Sequence, residues 1–291
     1  MKSKNHLSHL LEINIAMLFV STSGALGRYV SLPVTVTIGF RAVLALLLLV
    51  LYCKWKGVSF KIEKKHLFVV VTSGVLIGLH WLTYFYSLRL SNVAIGMISL
   101  FTYPILTAFL EPILLKTKLQ RVHLLLGLLV LLGIYFLVPN FDIENDYTLA
   151  VVIGVFSALV YALRNIILKT KVGSYDGSVL MCYQLGVVGV MLSPFYFSVA
   201  LDAVIDQWQG IAALALITTA IGHTLFLNSF KHFSITTVSI LSSVQPIFGI
   251  IIGAFFLSEI PNLNTIIGGV LILSSVVIES VRSSRKTKIT D

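Results

Sequence analysis

His80 and His223 are the residues whose type and placement most suggest chemistry, because each sits deep inside a long apolar run and the two lie 143 positions apart. An imidazole at that depth is costly in a membrane unless it faces the protein interior or water, so polar side chains there mark binding sites or pathways by default. Two histidines with no carboxylate or thiolate at the same depth fall short of a metal centre. They also lack the nucleophile that a catalytic pair requires, so neither a catalytic nor a metal site is expected. What remains is hydrogen bonding to a solute, against the plainer alternative of a core histidine held by a neighbouring carbonyl. Trp81 and Tyr84 favour the solute, since Tyr84 shares the helix face of His80.

Further polar groups fall at the same depth. Thr102, Tyr103, Tyr161, Ser243 and Gln245 join the two histidines, Trp81 and Tyr84 as the candidate substrate cavity. Arg41 lies about seven residues inside its apolar run. It cannot shed its proton, so it needs a carbonyl, a carboxylate or a substrate; a structural anchor and an anion clamp are both open. Arg164-Asn165 is placed toward the other side, where snorkelling is the simple account. Pro104 and Pro246 stand mid-run and are read as kinks that free the carbonyls of Leu100 and Ser242. Backbone freed at that depth is tolerated only beside protein or a watery cavity.

The elements that must position these groups follow from composition. Of 291 residues, 57% are hydrophobic and 11% charged, with mean hydropathy +0.96, against roughly 25% charged in a soluble domain. A spanning helix takes about 20 apolar residues, so the chain holds ten spans and no separate catalytic domain. The runs are Leu11 to Leu32, Val34 to Cys53, His66 to Leu88, Val93 to Leu115, Val122 to Val138, Thr148 to Leu168, Ser178 to Val199, Gln209 to Phe230, Ile235 to Leu257 and Leu263 to Ser280. Cys53 and Cys182 make no disulfide framework.

The net charge of +9 is distributed as topology rather than as a nucleic-acid face. With the N-terminus cytoplasmic, 17 of the 21 Lys and Arg residues fall in inner segments, and only Arg28, Arg41, Arg89 and Arg164 lie within or at the ends of helices. The outer connections carry Asp142, Glu144, Asp146, Asp202, Asp206 and Glu259. Both termini are therefore expected in the cytoplasm. A cleaved signal peptide, with Lys2 and Lys4 before the apolar stretch Ile13 to Val20, would leave nine spans and spoil the internal repeat.

That repeat appears at an offset of 142. Pro104 falls on Pro246, Ser87-Leu88-Arg89 on Ser229-Phe230-Lys231, and Gly127-Leu128-Leu129-Val130-Leu131 on Gly269-Val270-Leu271-Ile272-Leu273. Two halves of five spans follow, and an odd number per half inverts the second relative to the first. Such repeats place a substrate site near the midplane and supply alternating access. Glu12, Glu111 and Glu279 lie near inner helix ends, with Glu111 expected to reach Lys116 or Lys118, so no carboxylate proton relay is visible.

The sequence resembles the ten-helix drug/metabolite transporter superfamily, in its EamA branch. The resemblance is carried by Gly39-Phe40-Arg41-Ala42, by Leu100-Phe101-Thr102-Tyr103-Pro104, by Leu241-Ser242-Ser243-Val244-Gln245-Pro246 and by Glu259, whose counterpart in the first half is Thr117. It implies an all-α integral membrane protein of ten helices in two inverted five-helix repeats, 11–139 and 148–281, in the cell membrane. It also implies a cavity lined by the first, third, fourth, sixth, eighth and ninth helices. The expected function is secondary transport, with export foremost, of a small metabolite such as an amino acid or a similar amphipathic solute. Its partners are that solute and the lipid bilayer, with no cofactor and no nucleic acid. An intramembrane enzyme or a non-transporting scaffold is the alternative.

Overall fold

A computed structural model of the chain describes residues 2–116, 119–138, 144–172, 175–233, 238, 241–242 and 244–290. Every regular element among the described residues is helical: α1 (Lys2–Tyr29), α2 (Val34–Trp55), α3 (Lys64–Leu90), α4 (Val93–Leu100), α5 (Tyr103–Leu115), α6 (Arg121–Leu137), α7 (Asp146–Val172), α8 (Gly177–Leu192), α9 (Leu201–Ile205), α10 (Trp208–Ala213), a π-helical segment Leu214–His223, α11 (Thr224–His232), α12 (Gln245–Leu257) and α13 (Leu263–Thr290), with a short 3₁₀ turn at Ser193–Phe195. Seven candidate membrane spans are long and apolar enough to cross a bilayer, and Arg121–Leu137, Gln245–Leu257 and Leu263–Ile278 are shorter apolar helices.

Each expected kink is in fact a helix start. The run Val93–Leu115 breaks at Phe101 and Thr102, so Pro104 sits in the first turn of α5, and Pro246 likewise in the first turn of α12. A first-turn amide has no partner within its helix, so a proline there sacrifices no bond. Pro112 is the proline inside α5.

The backbone repeats at the offset seen in the sequence. Shifted by 142, Tyr103–Leu115 lands on Gln245–Leu257 and the start of α6 at Arg121 lands on Leu263. The C-caps match too: Lys116 (φ 55°) and Ser258 (φ 56°) both adopt the left-handed conformation. Non-glycine residues rarely do so, which makes the coincidence informative.

Two other departures have local causes. The seventh run ends at Leu192 rather than Val199 because Pro194 halts α8; Tyr196 then turns back to donate its hydroxyl to the Gly189 carbonyl at 2.7 Å. The Tyr196 ring occupies the place where a side chain on Gly39 would stand, which explains the glycine of the Gly39-Phe40-Arg41-Ala42 motif. In the eighth run, the helix widens into π geometry from Leu214 to His223. Such segments are rare and gather at functional sites.

α3 packs between α7 and α8, α1 against the π segment and α12, and α6 against α13. Small residues set these approaches: a Cβ on Gly74 would meet Val187 at 2.7 Å, and one on Gly268 would lie 2.7 Å from the Gly133 carbonyl oxygen.

Candidate functional site

The elements converge on a closed chamber between the two halves. α3 contributes His80, Trp81, Tyr84 and Phe85; α1 Val20 and Ser23; α2 Arg41; the α4–α5 junction Leu100, Phe101 and Tyr103. From the second half come Tyr161 on α7, His223 at the end of the π segment and Gln245 at the start of α12. The chamber measures about 20 Å³, room for little more than one water.

The His80 ring is held on two sides. Its Nδ1 lies 2.8 Å from Ser157 Oγ, and the same hydroxyl donates to the His80 carbonyl at 2.9 Å. Ser157 has one proton to give, so toward the ring it accepts, which assigns a hydrogen to Nδ1; in the neutral ring Nε2 is then the acceptor. The ring stacks on Tyr161 at 4.4 Å and lies 6.0 Å from Tyr84, while His223 sits 5.4 Å from Trp81. Tyr103 donates to Ser242 Oγ at 2.7 Å, because Ser242 spends its own proton on the Val238 carbonyl.

Arg41 is 0% exposed. Its guanidinium lies 4.3 Å from the Trp81 ring centroid and 5.6 Å from that of Phe85, and its Nε donates to Thr219 Oγ1 at 2.6 Å. The π geometry makes that bond possible, since Thr219 passes its own proton five residues back to the Leu214 carbonyl at 2.9 Å. Nη1 and Nη2 of Arg41, Nε1 of Trp81 and Nδ1 of His223 have no hydrogen-bond partner among the described residues.

Arg164 differs. Rather than snorkelling, it is 0% exposed, and both terminal nitrogens are engaged, by Asn165 Oδ1 at 3.0 Å and Gln184 Oε1 at 2.6 Å. Burial of the whole side chain in protein removes any path to the interface.

Most of the expected cavity residues therefore meet: His80, Trp81, Tyr84, Tyr103, Tyr161, His223, Gln245 and also Arg41. Thr102 does not join the lining, because it forms the turn before α5 and gives its hydroxyl to the Ser99 carbonyl at 2.8 Å. Ser243 and Thr117 lie outside the described residues. Glu111 feels Lys169 and His123, because α5 packs against α7 and α6; of its two expected partners, Lys118 lies outside the described residues. Val20, Ser23, Phe85, Leu100 and Phe101 complete the wall; only Ser23 carried a polar signal. Thr219 holds Arg41 through a π turn that no periodicity announces.

Glu259 closes one end of the bundle. It accepts from Arg28 Nε at 2.9 Å and from the backbone amide of Val93, the first residue of α4, at 2.7 Å. Nearby, Arg89 caps α1 by donating to the carbonyls of Gly27, Val30 and Leu32.

A helical membrane bundle with polar and aromatic side chains gathered in a chamber between its two halves has the form of a membrane carrier. Residues 8–138 and 148–281 each match the EamA-like transporter family, and the chain belongs to that family. It is a multi-pass transporter of the cell membrane. Among its relatives, the pseudopaline exporter CntI of Pseudomonas aeruginosa (strain UCBPP-PA14) is 24% identical over 85% of this chain and 86% of its own. The uncharacterized transporter YxxF of Bacillus subtilis (strain 168) is 22% identical over 99% of this chain and 94% of its own. A crystal structure 17% identical in sequence aligns with a TM-score of 0.70 over 96% of this chain and 98% of that one, a likeness of fold.

Proposed function

We propose that the protein exports a small amphipathic metabolite, an amino acid or a similar solute, by alternating access between two inverted five-helix repeats, 11–139 and 148–281. Ten spans with both termini in the cytoplasm form the carrier, and the chamber residues His80, Trp81, Tyr84, Tyr103, Tyr161, His223 and Gln245 contact the solute. The observation that carries this reading is the chamber itself: polar and aromatic groups from both halves enclose a space of about 20 Å³, too small for any metabolite. A closed centre between two halves is what a carrier passes through when it exchanges one opening for the other. The Pseudomonas relative is named an exporter, which supports the direction.

No Asp or Glu lines the chamber among the described residues, which favours uncoupled transport or exchange over carboxylate-based proton coupling. The test is counterflow uptake of labelled amino acids into liposomes holding purified protein, with and without a proton gradient. Saturable uptake indifferent to the gradient is expected. Failure of every amino acid would remove this substrate class.

A further inference from the structure

We propose that Arg41 is the substrate-binding residue of this chamber and that it selects a solute bearing a carboxylate, which its two terminal nitrogens grip side by side. The inference deepens the transport reading and rests on it.

The geometry makes the case in three steps. First, the guanidinium lies over Trp81 at 4.3 Å and is fixed through Nε alone, by Thr219 at 2.6 Å. An aromatic ring beside the guanidinium carbon offers no hydrogen-bond acceptor of oxygen or nitrogen, so the terminal N–H groups keep the fork that matches the two oxygens of a carboxylate. Second, Nη1 and Nη2 have no partner among the described residues, and neither does Nε1 of Trp81 beside them. Buried donors are normally satisfied, so three unanswered donors in one wall of a chamber call for an acceptor that arrives. Third, Arg164 shows how this bundle holds an arginine for structure: two amide oxygens, from Asn165 and Gln184, answer both of its terminal nitrogens and leave only Nε without a partner among the described residues, the reverse of Arg41. At an offset of 143, Gln184 is the counterpart of Arg41, so the two halves place a structural amide and an unanswered cation at matching positions.

Charge points the same way. No carboxylate lines the chamber among the described residues, and a permanent cation without a counter-ion in a low-dielectric interior is strongly unfavourable. A bound anion supplies the missing charge, and a cationic solute would compound the cost. The neutral His80 acceptor and the aromatic walls then suit the remainder of an amphipathic acid.

The experiment pairs L-amino acids with their own amides, which differ in the carboxylate and little else. Purified protein is assayed for shift of melting temperature and for counterflow. At least one free acid is expected to stabilise the wild type and to exchange, and its amide to do neither. Arg41→Gln should weaken binding of that acid about 100-fold, while Arg41→Lys restores only part, since an ammonium cannot form the planar fork. Without ligand, Arg41→Gln should melt no lower than the wild type, because it removes an uncompensated charge; a structural anchor would lower it. Trp81→Phe, which keeps an aromatic face and deletes one donor, serves as a milder second variant. Equal stabilisation by acid and amide, or wild-type affinity for the acid in Arg41→Gln, overturns the proposal. Exchange of amines, sugars or nucleosides without acids overturns the carboxylate assignment and leaves transport standing. Exchange of none of these classes overturns both.

Discussion

Replacing Glu259 with glutamine is expected to loosen the end of the bundle that it closes by about 2 kcal/mol. Its carboxylate joins three elements: Arg28 at the end of α1, the loop after α12 that carries Glu259 itself, and the amide of Val93 that opens α4. The Arg28–Glu259 pair is 2.9 Å long with side chains 29% and 17% exposed. A fully exposed pair is worth about 0.2–1 kcal/mol, and a charge-assisted bond to a helix N-terminus adds about 1–2 kcal/mol. Glutamine keeps a weaker acceptor for one of the two contacts, so about 2 kcal/mol is lost, or roughly 30-fold in an opening equilibrium. The assay uses a cysteine at Ser23, which lines the chamber and is buried, in a background with Cys53 and Cys182 changed to serine. A bulky hydrophilic maleimide reaches it only when the bundle opens. Labelling should accelerate about 30-fold in Glu259→Gln but at most about 5-fold in Arg28→Gln, which removes the ion pair and leaves the bond to the Val93 amide, and the double variant should be no faster than Glu259→Gln alone, because the ion pair is lost once. An unchanged rate in both single variants, or strictly additive effects, would refute the latch.

Three other expectations follow from the same geometry. His80→Ala should reduce transport with little loss of folded protein; unchanged transport at equal expression removes the binding role of the histidine. Thr219→Val deprives Arg41 of its Nε acceptor, and the orphaned buried donor should lower stability by about 1–3 kcal/mol and raise KM, with Thr219→Ser restoring both; a neutral effect would show that Arg41 is held otherwise. Gly268→Ala drives a methyl toward the Gly133 carbonyl, where neither backbone can yield, and should cost about 1–3 kcal/mol, read as a lower melting temperature in detergent; wild-type melting would show that α6 and α13 are less tightly apposed.

Much of the architecture was legible because it depends on local quantities. Apolar run length located the apolar helices, seven of them long enough to cross a bilayer and three shorter among the described residues, and the offset that superposes Pro104 on Pro246 also superposes α5 on α12 and their left-handed caps. The residues that wall the chamber were legible for a similar reason. Polar side chains are expensive at membrane depth, so His80, His223, Tyr161 and Gln245 stood out against an apolar background. Side-chain connections were not legible. Spacing alone sends Arg164 to the interface, whereas the fold brings it to Gln184, 20 residues away in sequence but adjacent across a helix contact.

The sequence by itself determined the class, the helical segments, the repeat and the inventory of polar groups available at depth, since each follows from composition and spacing. Only the tertiary structure decided which nitrogens of the two buried arginines are answered, both terminal ones in Arg164 and Nε alone in Arg41. That distinction depends on whether an acceptor from another helix lies within about 3 Å. For Arg41 it turns on a π-helical segment that brings Thr219 to Nε and leaves the rest of the fork open. Hydrogen bonds between distant helices are set by packing to fractions of an ångström, and no periodicity along one chain encodes them.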